Sequence, residues 1–137
     1  MTQKKFYDWK WVDEQIDKIA QNLERTQLPQ LITGIPRGGL IPAVLMSHRY
    51  NIPFIDLQAA IKLPEHNRKK VLVVDDIADS GVTLEKIEKY NFMTATLARR
   101  YSCTFNPLFV GEDIKNDDWL VFPWESKRAK TIQDYLV

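Results

Sequence analysis

The stretch that decides the fold is VLVVDDIADSGVT, residues 71–83. Its first four residues, Val71–Val74, are β-branched or leucine without a polar interruption, the pattern of a strand buried on both faces of a parallel sheet. The strand is expected to end at Asp75–Asp76, with a short helix following over Leu84–Tyr90. Parallel sheets bind ligands at the carboxyl ends of their strands, where such loops converge. Three carboxylates, Asp75, Asp76 and Asp79, fall within five positions at that mouth. Their repulsion needs an offset, such as a divalent cation or ligand hydroxyls, and two carboxylates are a usual complement for magnesium. Ser80, Gly81 and Thr83 add hydroxyls and amides suited to a phosphate monoester at the next helix start. The competing reading is a solvated acidic turn.

Working outward, Leu31–Ile32–Thr33 reads as a second short buried strand that stops at Gly34. GIPRGG (34–39) follows it and leads into an apolar helix over Leu40–Tyr50, with Pro42 tolerated in the first turn. Three of the five glycines lie in this loop and a fourth is Gly81. Glycine lets backbone N–H groups approach an anion closely. Two such loops suggest a ligand with two separate phosphate groups; one alone would read as a tight turn between strand and helix that only needs positive φ. Neither a Walker A nor a GxGxxG pattern occurs, which excludes P-loop and dinucleotide sites.

The flanks complete an α/β pattern. Residues 9–25 carry Trp9, Val12, Ile16, Ile19, Ala20 and Leu23 at three- and four-residue intervals, an amphipathic helix. Pro53–Leu57 reads as a strand, 58–70 as a loop or ragged hairpin, and Phe92–Ala98 and Leu108–Val110 as further strands. Strands alternating with helices predict one domain over 1–137, with a mainly parallel central sheet flanked by helices. With 19 Lys+Arg against 18 Asp+Glu there is no global basic field for nucleic acid. A single cysteine, Cys103, excludes an internal disulfide framework and fits a reducing compartment. No signal peptide or membrane-length apolar run is present. A cytoplasmic protein without integral membrane association is expected.

Residues 71–83 closely resemble the phosphoribosyl pyrophosphate signature of type I phosphoribosyltransferases: a hydrophobic run, two acids, two residues, Asp, Ser or Thr, Gly, any residue, Thr. GIPRGGLIPA (34–43) is similar to the diphosphate-binding loop of that family. DDWLVFPWE (117–125) and the helix bearing Trp9 look like those of the bacterial xanthine-guanine enzymes, which carry a small C-terminal hood over the base. The resemblance implies that Arg37–Gly38 holds the diphosphate, often with an unusual cis peptide. It places Asp75 and Asp76 on the ribose hydroxyls, Asp76 also with Mg2+. Asp79, Ser80, Gly81, Val82 and Thr83 would wrap the 5′-phosphate, within a donor segment that includes Ile77 and Ala78. Asp79 would face N7 of a purine as general base, Trp119 would stack on the base, and the Leu120 backbone would read its 2-position.

This sequence departs from the family at the residue facing the 6-oxo group and in the loop between the second strand and the signature, which is shorter than in the xanthine-guanine enzymes. A family lysine donates to the 6-oxo group, and its counterpart is Arg99, or else Arg100. The basic residue that closes over the diphosphate would be Lys62, Arg68 or Lys69. Residues 126–137 have no clear counterpart. The implied activity is magnesium-dependent transfer of the 5-phosphoribosyl group from phosphoribosyl pyrophosphate to N9 of a 6-oxopurine, in purine salvage. A homo-oligomer, dimer or tetramer, and no nucleic-acid partner are expected. The alternatives are a non-catalytic protein sensing phosphoribosyl pyrophosphate, or the same reaction on another base.

Overall fold

The computed structural model describes residues 3–126. A four-stranded sheet of β2 (Leu31–Gly34), β3 (Val71–Ala78), β4 (Met93–Arg100) and β5 (Phe109–Ile114) is parallel throughout, in that spatial order. Helices α1 (Trp9–Arg25) and α2 (Leu40–Tyr50) have the expected limits. They bury Ile16, Ile19, Leu23 and Met46 against Leu72, Val74, Ala95 and Leu97. On the opposite face α5 (Val82–Ile87) brings Leu84 and Ile87 onto Val73, Ala78 and Phe105. Asp8 caps α1 by accepting the Trp11 N–H at 2.8 Å, satisfying one of the donors a helix start leaves open.

Several expectations are corrected. β3 does not end at Asp75 but runs on through Asp76, Ile77 and Ala78, because β4 beside it continues to offer backbone partners. Pro53–Leu57 is no strand. Only a parallel bridge forms, in which Ile32 donates to the Pro53 carbonyl at 3.0 Å and Ile55 to that of Ile32 at 2.9 Å. Asp56 then caps a short helix, α3 (Leu57–Ile61), accepting from Gln58 and Ala59. A further turn, α4 (Glu65–Arg68), replaces the rest of the expected loop or hairpin. The segment before β4 divides into α5 and a 3-10 turn over Glu88–Tyr90.

A second, two-stranded sheet was not expected. β1 (Lys4–Phe6) runs parallel to β6 (Trp119–Val121), Lys4 opposite Trp119 and Phe6 opposite Val121. It forms the hood. Tyr7 stacks on Trp11 at 3.9 Å between centroids, and Phe122 stacks on Trp124 at 5.2 Å. Leu120 and Phe122 pack with Ala98 and Ile114, which fastens the hood to the carboxyl ends of β4 and β5. Among the described residues no helix is long and apolar enough to cross a membrane. The expectation for 126–137 falls almost wholly outside the described residues.

Candidate active site

The site begins with a defect in β3. Along a regular strand side chains alternate between faces, so Val73 and Ala78, five apart, belong on opposite sides. Both lie in the α5 core. Between them the pairing passes from Asp75–Thr96 to Ile77–Ala98, skipping Asp76, and the neighbouring ladder skips Leu97 and Gly111. The alternation therefore slips by one residue at Asp76. Asp75 accepts the N–H of Asp76 at 2.9 Å, and Asp76 accepts that of Ile77 at 2.7 Å, so the displaced backbone stays satisfied.

The two acids, consecutive along the strand, meet different neighbours. Asp75 lines a cleft with Asp79, Ser80, Gly81 and Thr83. Asp76 instead lies beneath the first glycine loop: a Cβ on Gly38 would meet its Oδ2 at 2.0 Å. A Cβ on Gly39 would meet the Val74 carbonyl at 2.4 Å. Only glycines let this loop lie so close to the strand end. The Pro36–Arg37 peptide is cis. Burial, above all, pushes the Asp76 carboxyl up from 3.8 to about 6, against the lowering effect of hydrogen bonds from Asp75 and the Ile77 N–H.

The second loop is built around Gly81, whose φ of +92° lies in the left-handed region that glycine tolerates without strain. Gly81 heads α5, and its carbonyl accepts the Glu85 N–H at 2.9 Å. Ser80 Oγ accepts the Val82 N–H at 3.3 Å, closing the turn. Ile77 packs toward the hood, while Ala78 joins the opposite core. Both shape the segment through their packing.

One of the two adjacent arginines of β4 faces Asp79. Arg100 Nε lies 3.2 Å from Asp79 Oδ1, and its Nη1 donates to the Asn116 carbonyl at 2.9 Å. Its side chain is only 12% exposed, against 64% for Asp79. Arg99 is turned away, donating to Asp113 at 2.8 Å and to Asn106 at 3.1 Å. Of the two candidates, Arg100 is brought to Asp79 and Arg99 is not. Arg68 is likewise engaged elsewhere, donating to the carbonyls of Tyr90 and Leu63. Lys62 and Lys69 are exposed.

The hood supplies Trp119, half-buried, with the Lys4 ammonium 5.1 Å from its ring centre. The Leu120 side chain is buried inward. The sequence reading missed Lys4 because a three-residue exposed strand has no period to detect. Asp75 and Asp76 are a donor set that fits a magnesium ion: two carboxylates at a strand end, one of them costly to ionise without a cation.

Residues 2–128 match the phosphoribosyl transferase domain family. A curated relative, the xanthine-guanine phosphoribosyltransferase of Idiomarina loihiensis, is 29% identical over 145 residues, covering 88% of this chain and 86% of its own. That of Cereibacter sphaeroides is 29% identical over 114 residues, 69% of this chain and 68% of its own. Among solved structures, a purine phosphoribosyltransferase from Pyrococcus horikoshii superposes with a TM-score of 0.74 at 29% identity, over 96% of this chain and 100% of that one.

Proposed function

The chain belongs to the phosphoribosyl transferase domain family, and from that premise we propose that it transfers the 5-phosphoribosyl group of phosphoribosyl pyrophosphate to N9 of a 6-oxopurine, releasing diphosphate. The observation that carries the choice of base is the Asp79–Arg100 pair beside the phosphate loop. A 6-oxopurine with its proton on N7 presents a donor and an acceptor side by side on one edge. Arginine only donates, so Arg100 suits O6, while the Asp79 carboxylate accepts from N7–H. Adenine sets an amino group against Arg100, donor against donor.

In this reading the C1–diphosphate bond breaks as the N9–C1 bond forms, and the N7 proton passes to Asp79. Trp119 is the platform on which the purine stacks, with Leu120 beside it. The Arg37–Gly38 loop holds the diphosphate, and residues 79–83 hold the 5′-phosphate through backbone N–H groups and the Ser80 and Thr83 hydroxyls. Both loops are in place before reaction, so their dipoles need little reorganisation as charge moves onto the leaving group. Asp75 and Asp76 would hold a magnesium ion, which supplies charge neutralisation at the diphosphate when bound.

A product assay tests the reading: donor, magnesium and each free base in turn, with nucleotide detected by chromatography. Nucleotide is expected from at least one of guanine, xanthine and hypoxanthine, and essentially none from adenine. A site built around one polar contact rejects the wrong analogue by as much as ~10⁴-fold. Arg100→Leu should weaken 6-oxopurine use and relax that discrimination, whereas Arg99→Leu should leave the discrimination in place. Preference for adenine or a pyrimidine overturns the assignment of the base.

A further inference from the structure

The segment after β4, YSCTFNP (101–107), stands against the second glycine loop although it lies about twenty residues further along the chain. Thr104 Oγ1 lies 3.1 Å from the Ser80 carbonyl oxygen and 2.8 Å from Glu85 Oε1. Both neighbours only accept, so the single hydroxyl proton ties one end of the loop or the other, and the hydroxyl spans both. Directly beneath, a Cβ on Gly81 would meet the Phe105 Cβ and backbone N at 2.9 Å and the Cys103 Sγ at 3.1 Å. Phe105 is buried in the α5 core, and Cys103 Sγ donates to the Phe105 carbonyl at 3.2 Å, so this floor is itself anchored. The loop is therefore held from below by packing and from the side by one hydroxyl.

We infer that Cys103–Phe105 positions the 79–83 loop for the donor's 5′-phosphate, with Thr104 as a positioning residue whose hydroxyl stands between the Ser80 carbonyl and Glu85 of α5 and can donate to either. The inference rests on the proposed reading of that loop as the 5′-phosphate cradle. Among the described residues the Thr104 hydroxyl has Ser80 and Glu85 as its neighbours, both on the 79–83 side of the site. Its effect is accordingly confined to one of the two phosphate ends of the donor.

Calorimetry with magnesium present, on the full chain, tests this with phosphoribosyl pyrophosphate and inorganic diphosphate as probes. Thr104→Val keeps the shape and removes the hydroxyl. Its Kd for phosphoribosyl pyrophosphate is expected to rise about three- to tenfold, the reach of one lost hydrogen bond. Its Kd for diphosphate and its melting temperature should stay near wild type, and Thr104→Ser should restore donor affinity. An unchanged donor Kd in Thr104→Val, an equal loss for diphosphate, or no rescue by serine overturns the inference. Wild-type protein that binds the donor but makes no nucleotide from any base overturns the proposed transfer and leaves the positioning role standing. Wild-type protein that does not bind the donor overturns both.

Discussion

Burial favours the neutral form of Asp76, whereas the magnesium site proposed for it calls for the charged one. Because its carboxyl is pushed up to about 6, the folded protein binds that proton more tightly than the unfolded chain does. The stability this contributes is complete below the ordinary value of 3.8 and is lost as pH rises through about 6. Asp76→Asn removes the charge while keeping an oxygen to accept the Ile77 N–H. Its thermal stability without ligand should therefore gain on wild type between about pH 4 and about pH 7, by roughly 1–3 kcal/mol. Differential scanning calorimetry across that range decides it, and parallel curves would mean the carboxyl titrates normally. The same variant should bind phosphoribosyl pyrophosphate more weakly in the presence of magnesium, measured by titration calorimetry.

Among the elements, the passage from β3 into α5 concentrates the constraints. Gly81 combines a left-handed backbone with contact against Phe105 and Cys103. Gly81→Ala is expected to cost about 1–2 kcal/mol from the backbone alone, with more from the clash. Thermal denaturation and donor titration together should show lost stability and a larger loss of donor affinity, since the loop must shift to admit the methyl group. Wild-type affinity would show that the loop tolerates displacement. The elements themselves were unevenly legible. α1 and α2 could be read to the residue because an amphipathic period or a continuous apolar run ends at clear boundaries. α3 was written in the sequence as Asp56 before LQAAI, a capping residue ahead of helix formers, yet the β-branched and aromatic residues of 53–57 suggested a strand. That strand fails because a single bridge at the sheet edge is all its backbone secures.

At the level of the whole molecule, the hood depends on aromatic packing across distant parts of the chain. Tyr7, Trp11, Phe122 and Trp124 join β1, α1 and the segment after β6. Phe122→Ala leaves a cavity at their centre and should destabilise the protein by about 3 kcal/mol, as buried phenylalanines commonly do. If the hood carries the base platform, purine affinity should fall in this variant while donor affinity holds. Paired titrations of base and donor measure both, and an equal fall in the two would mean the hood and the donor loops are one cooperative unit.

By itself the sequence determined the parallel α/β architecture and the place of both glycine loops between a strand and a helix, because these rest on local signals: a buried run, then glycines, then a helix start. Tertiary structure alone decided the rest. Lys4 reaches Trp119 only because two three-residue strands, more than a hundred residues apart, pair in parallel. Which of the two adjacent arginines stands beside Asp79 is settled by partners from elsewhere in the chain: Arg99 is held by Asp113 and Asn106, Arg100 by Asp79 and the Asn116 carbonyl. Since neighbouring strand residues face opposite sides, only one of two adjacent arginines can meet Asp79, and nothing in two identical residue types announces which.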